Sequence, residues 1–262
     1  MFIRTEKSVK EFIQFYPIVS LLIMIYLSLW FIIDVLQLSI GQDIYMWGVA
    51  INGLIHEGEY WRLLTAMFLH ADFMHTLFNS FSLVLFGPAL EQMLGRVKFI
   101  IAYLFAGLVG NIATYAFDPL AIHFAHLGAS GAIYGLFGMY IYMVLFRKDL
   151  IDMQSAQMVT VIFFIGLVMT FLRPGINIKA HIFGFVGGIL VAPFVLKHAL
   201  PFSPWRNKKA RIFTNNDHND IKFDPNRWNK KKIIPDKVKR NLPWIFIGIL
   251  LFFGLLSWLG FL

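Results

Sequence analysis

Seven runs of mostly apolar residues, each near the roughly 20 residues a helix needs to cross a lipid hydrocarbon core, constrain this chain more than any other feature. They lie at about 17–38, 74–90, 97–117, 129–146, 157–172, 176–196 and 243–262. The expected fold is therefore all-α: a polytopic bundle of six membrane helices with a seventh at the C-terminal end. Composition agrees, since 58% of the residues are hydrophobic and only 15% charged, beyond the roughly half-apolar balance of a soluble domain. Arg4, Lys7 and Lys10 ahead of the first run resemble a signal-peptide n-region. The apolar part is too long for one and no small-residue cleavage site follows, so a retained anchor is expected.

Basic residues orient the bundle, because Lys and Arg concentrate in cytoplasmic loops. Arg4, Lys7 and Lys10, then Arg96 and Lys98, then Arg147 and Lys148, then the segment after the sixth run all fall on one side. That side is expected to be the cytoplasm, with the N-terminus (1–16) there. The segment 197–242 carries Lys208, Lys209, Arg211, Arg227, Lys230, Lys231, Lys232, Lys237, Lys239 and Arg240 against four Asp, and so most of the net charge of +8. It reads as a solvated cytoplasmic linker between a core at 17–196 and the seventh span at 243–262, which makes nucleic acid an unneeded partner. Cysteine is absent, which excludes disulfides, thiolate metal sites and a Cys nucleophile. Between the first two spans, residues 39–73 are expected at the outer interface, where Tyr45, Trp47, Tyr60 and Trp61 suit headgroup depth and Arg62 can bond loop carbonyls.

Polar groups inside spans are costly and mark function or specific packing. Here they are His75 and Asn79 on the second span, Asn111 on the third, Ser130 and Tyr134 on the fourth and His181 on the sixth, with Asp34 and Glu91 near span ends. The second, fourth and sixth spans all enter from the outside, so His75, Asn79, Ser130 and His181 share one depth. A rise of about 1.5 Å per residue puts Ser130 roughly 24 Å above the cytoplasmic end of its span, several Å below the outer face of a core about 30 Å thick. Ser130 and Tyr134 share a helical face, as do His75 and Asn79. Gly131, Gly135 and Gly138 on the fourth span and Gly184 and Gly188 on the sixth would let those two helices approach closely. That approach would bring His181 within reach of the Ser130 hydroxyl, as removal of its proton requires. Gly128 and Gly131 flanking Ser130 permit a tight turn whose amides can face a developing oxyanion. No carboxylate lies at the depth of His181, so a dyad rather than a triad is expected.

These residues resemble the rhomboid intramembrane serine proteases over about 60–193. The resemblance rests on Trp61-Arg62, on His70 with His75 and Asn79, on Glu91 with Gly95-Arg96, on Gly128-Ala129-Ser130-Gly131 with Tyr134, and on Ala180-His181 with Gly184 and Gly188. It implies that Ser130 attacks the scissile carbonyl and that His181 acts as base and then acid. It further implies that Tyr134 packs on the His181 ring, and that His75, Asn79 and the Ser130 amide bind the oxyanion. Trp61 and Arg62 would shape the outer loop. The seventh span resembles the six-plus-one form of that family. The implied partners are transmembrane protein substrates in the lipid bilayer, entering laterally and unwinding locally before cleavage in a cavity open to the outside. No cofactor and no metal are implied, and a bacterial plasma membrane is the expected location.

Other chemistries fare worse. His56-Glu57 lacks the second His of a metalloprotease helix, and paired membrane aspartates are absent. A transporter or metal carrier would need His70, His75 and His181 as ligands. On one helix, a five-residue spacing would turn His70 and His75 about 140° apart. A non-catalytic relative that only binds membrane segments is the remaining alternative, opposed by retention of both Ser130 and His181.

Overall fold

An α-helix satisfies its own backbone within one apolar run, and the described part of the chain, residues 4–206 of a computed structural model, is a helical bundle built on that rule. In chain order the elements are α1 (Val9–Phe15), α2 (Pro17–Trp30, prolonged by a π-helical turn Phe31–Val35), α3 (Ser39–Gly48), β1 (Ala50–Ile51), α4 (Asn52–His56) and α5 (Arg62–Thr65). After a 3-10 turn at Ala66–Phe68 come α6 (Phe73–Leu94), α7 (Arg96–Phe117), β2 (Ala125–His126), α8 (Ser130–Phe146), α9 (Met153–Leu172) and α10 (Ile178–Val195). Five of these spans are long and apolar enough to cross a membrane, and α8 is a shorter apolar helix of 17 residues. The seventh expected span and nearly all of the basic segment lie outside the described residues.

Two helices are longer than hydropathy alone indicates, and capping explains both. Asp72 precedes α6 and its carboxylate accepts from the His75 amide at 2.7 Å, while Asp152 does the same for the Ser155 amide ahead of α9 at 2.9 Å. At the other end of α6 the helix continues through Glu91, which the sequence places beyond the span because a carboxylate is costly in lipid. The structure supplies its partners from another helix. Pro17 starts α2 and leaves the following amides without helical acceptors. Ile18 and Val19 donate to the two Glu91 carboxylate oxygens at 2.9 Å each. Glu91 thus caps α2 from α6. We expect Glu91→Ala to cost on the order of 3 kcal/mol, because it removes two hydrogen bonds to a charged group and orphans both amides. Thermal unfolding in detergent measures this, and an unchanged midpoint would remove the cap from the account.

Helices α8 and α10 meet backbone to backbone. A Cβ on Gly184 would collide with the carbonyl oxygen of Gly131, and one on Gly188 with that of Gly135. Only hydrogen fits at those two positions, and the contact carries His181 to the N-terminal end of α8.

The segment between the first two spans is folded rather than a plain connection. The Arg62 guanidinium is buried and donates to the carbonyls of Met46 and Val49 at 2.7 and 2.8 Å, with Glu59 as its counter-ion. Trp61 stacks on Trp47, ring centroids 5.6 Å apart. Asn111 on α7 donates to the Leu63 carbonyl at 2.7 Å, which gives this span-buried amide a structural role. Strand β1 pairs antiparallel with β2, Ala50 opposite His126, and the Gly128 amide donates to Ala66 at 2.8 Å. The segment between the first two spans therefore fixes the backbone two residues ahead of Ser130.

Two histidines outside the spans give the fold an acid limit. Burial holds His126 at about 4 and His70 at about 3, the latter also lowered by the neighbouring His75 ring. The unfolded chain takes up these protons near the ordinary 6.5 and the native chain only at lower pH, so their contribution is complete above about 6.5 and is lost as pH falls. The unfolding midpoint is expected to drop between pH 7.5 and pH 5, and less so in His126→Phe. A midpoint constant over that range would contradict the assignment.

Candidate active site

Ser130 is the first residue of α8, held there by an unusual backbone. Gly128 has φ +125°, a conformation that residues with a Cβ rarely adopt, and Ala129 follows without any side-chain cap on the helix. The first turn of α8 thus has no side-chain cap on its amides, and Ser130 stands at the positive end of the helix dipole.

His181 lies on the first turn of α10, where the Asn177 side chain accepts from the Ala180 amide at 3.0 Å. Its Nε2 is 2.8 Å from the Ser130 hydroxyl. His181 is buried, at 7% exposed, whereas Ser130 is half-buried. Tyr134, one turn beyond Ser130, lies against its ring at 4.2 Å with an interplanar angle of 18°. The Nδ1 side is closed by Thr170 of α9, whose hydroxyl lies 2.8 Å away.

Across from this pair, His75 and Asn79 face Gly128. A Cβ on Gly128 would fall 2.7 Å from Cε1 and Nε2 of His75 and 3.8 Å from the Asn79 amide nitrogen. The Ala71 amide approaches His75 Nδ1 at a long 3.5 Å, a contact compatible with a ring proton on Nε2. The Asn79 amide nitrogen is buried without a hydrogen-bond partner. Buried donors are nearly always paired, so this orphan beside a serine-bearing turn is an exception to the rule.

The structure thus brings Ser130, His181 and Tyr134 together and sets His75, Asn79 and Gly128 beside them, with Gly131, Gly184 and Gly188 forming the seam that permits it. Trp61 and Arg62 keep their bonds within the segment between α2 and α6, apart from Ser130 and His181. Two readings need correction. His70 and His75 are not turned apart, because His70 precedes α6 instead of lying on it, and their rings meet edge to face at 5.0 Å. Among the described residues no group of three or more His, Cys, Asp or Glu side chains gathers. Thr170 is the second: the inventory of span-borne polar groups omits it because a helical threonine ordinarily satisfies its hydroxyl on its own i−4 carbonyl. Thr170 does bond Gly166 at 2.9 Å, yet also meets Tyr134 at 2.7 Å and His181. Only its position, eleven residues before the histidine on the preceding span, hinted at this.

A helical bundle of membrane-length apolar spans with a hydroxyl–imidazole pair enclosed within it defines a polytopic membrane protein. Residues 57–198 match the Rhomboid domain, and the chain belongs to the rhomboid family. It is 42% identical over 195 residues to the Putative rhomboid protease YdcA of Bacillus subtilis (strain 168), an overlap covering 73% of this chain and 94% of that protein. Identity is 36% over 151 residues with the Rhomboid protease GluP of the same organism, and 32% over 147 residues with RHOMBOID-like protein 1 of Arabidopsis thaliana. Those overlaps cover 58% and 56% of this chain but only 29% and 37% of the relatives, so the chain spans about a third of their length.

Proposed function

We propose that this chain is a serine endopeptidase that cleaves membrane-spanning segments of other proteins within the bilayer, with Ser130 as nucleophile and His181 as general base. The observation that carries this reading is the 2.8 Å contact between the Ser130 hydroxyl and His181 Nε2 inside the bundle. The hydroxyl attacks the scissile carbonyl carbon as its proton passes to Nε2. The resulting tetrahedral oxyanion is met by the Asn79 amide, His75 Nε2–H and the Ser130 backbone N–H. The imidazolium that forms lies over the face of Tyr134, a favourable place for a cation. It then protonates the leaving amine, and water repeats the sequence on the acyl-enzyme. The N-terminus would be cytoplasmic, the cavity would open to the outer face, and the membrane would be a bacterial plasma membrane.

Purified protein in liposomes with a labelled single-span substrate tests the reading. Cleavage should persist in a chelator, and a fluorophosphonate should label the parent but not Ser130→Ala. Absence of both cleavage and labelling in the parent would favour the non-catalytic binder, and chelator sensitivity would favour a metal enzyme.

A further inference from the structure

We propose that Thr170 is a positioning residue that sets the tautomer of His181, supplying from α9 what a carboxylate would supply in a triad. The inference rests on the serine-protease reading above and goes beyond it by assigning a third group to the dyad. It follows from counting hydrogens. The Thr170 oxygen has one proton to donate and two lone pairs to accept with. Three groups surround it: the Gly166 carbonyl at 2.9 Å, the Tyr134 hydroxyl at 2.7 Å and His181 Nδ1 at 2.8 Å. The carbonyl can only accept, so all three contacts are hydrogen bonds at once only when the single Thr170 proton points to Gly166. Both lone pairs remain, and each requires a donor. Tyr134 O–H supplies one, and the other is met only if His181 carries its proton on Nδ1.

A proton on Nδ1 leaves Nε2 of the neutral ring with a bare lone pair, and Nε2 is the atom facing Ser130. The opposite tautomer would either leave Thr170 and Nδ1 as two facing acceptors or draw the Thr170 proton away from Gly166 and set two oxygens 2.9 Å apart with no hydrogen between them, and in both cases would turn an N–H toward the serine that must lose a proton. Thr170 is 1% exposed, so water does not take over this role. The rest of α9 is arranged to allow it. A Cβ on Gly166 would come 3.0 Å from the Tyr134 hydroxyl, so the glycine keeps open the path by which Tyr134 reaches Thr170. Thr170 also has no charge, so it orients the imidazole without stabilising the imidazolium as an aspartate does. Ring stacking with Tyr134 is left to carry that share.

Thr170→Val keeps the shape and deletes the hydroxyl. We expect it to lower kcat by about ten- to a hundredfold with KM within twofold. The loss should be smaller than the roughly 10⁴-fold that follows loss of an orienting aspartate, because no counter-charge is removed. Thr170→Ser should recover most of the rate, since it keeps the oxygen and loses the methyl. Nitrogen-15 spectra of histidine-labelled parent, with the His181 signals assigned by their loss in His181→Ala, should show a neutral ring protonated on Nδ1. That measurement does not depend on the valine variant folding. A ring protonated on Nε2, a valine variant with parental kcat, or a serine variant as slow as valine would each overturn the assignment. Ser130→Ala run in parallel separates the two levels. Retained cleavage there sinks the serine mechanism itself, whereas an inactive Ser130→Ala beside a fully active Thr170→Val sinks only the role of Thr170.

Discussion

Ser130→Ala and His181→Ala should each reduce cleavage of a membrane-embedded substrate by at least about 10⁴-fold, and the double variant should be no slower than either alone. In the proposed mechanism the hydroxyl and the imidazole act as one unit. Without the base at 2.8 Å, Ser130 is an ordinary alcohol that stays protonated; without the hydroxyl, His181 has no nucleophile to activate. Whatever rate persists would come from binding and the oxyanion donors, which is why the losses do not add. Both variants should fold, because neither side chain belongs to the Gly184 and Gly188 seam; Ser130→Ala should keep a thermal midpoint near that of the parent, whereas His181→Ala, which empties the space against Tyr134 and strips Thr170 of a partner, should lower it. Additive losses in the double variant would mean that the two groups act in separate steps.

Asn79→Ala should lower kcat by about a hundredfold, the usual effect of removing one oxyanion donor, with little change in KM. Its distinguishing mark is stability. The Asn79 amide nitrogen is buried with no partner in the resting protein, so removing it relieves a desolvated donor. The variant should therefore unfold no earlier than the parent while turning over far more slowly. A packing role would produce the reverse: a lower midpoint with kcat preserved. Asn111, buried at similar cost but bonded to the Leu63 carbonyl at 2.7 Å, is the internal contrast, because its loss should affect the fold first.

The contrast between those two asparagines illustrates how far one dimension reaches. Sequence marks both as polar groups in lipid, and although depth and the family resemblance single out Asn79, neither says which of the two amides lacks a hydrogen-bond partner in the folded chain. The same holds for Glu91, whose carboxylate reads as the end of a span until α2 delivers two amides to it. His70 is a similar case, because its relation to His75 depends on α6 starting at Phe73, three residues after His70.

What the residue order determines by itself is the set of spans, the orientation expected from the basic clusters, and the shared depth of His75, Asn79, Ser130 and His181. Those follow because a bilayer is a layered solvent, and position along a spanning helix is position through the layer. Only the tertiary structure decides which side chains at one depth touch, since that depends on how each helix is rotated and how closely it packs. Thr170 shows the difference: spacing brings it to the right level, but α9 must turn its hydroxyl toward α8 and α10 before it can dictate which nitrogen of His181 faces the serine.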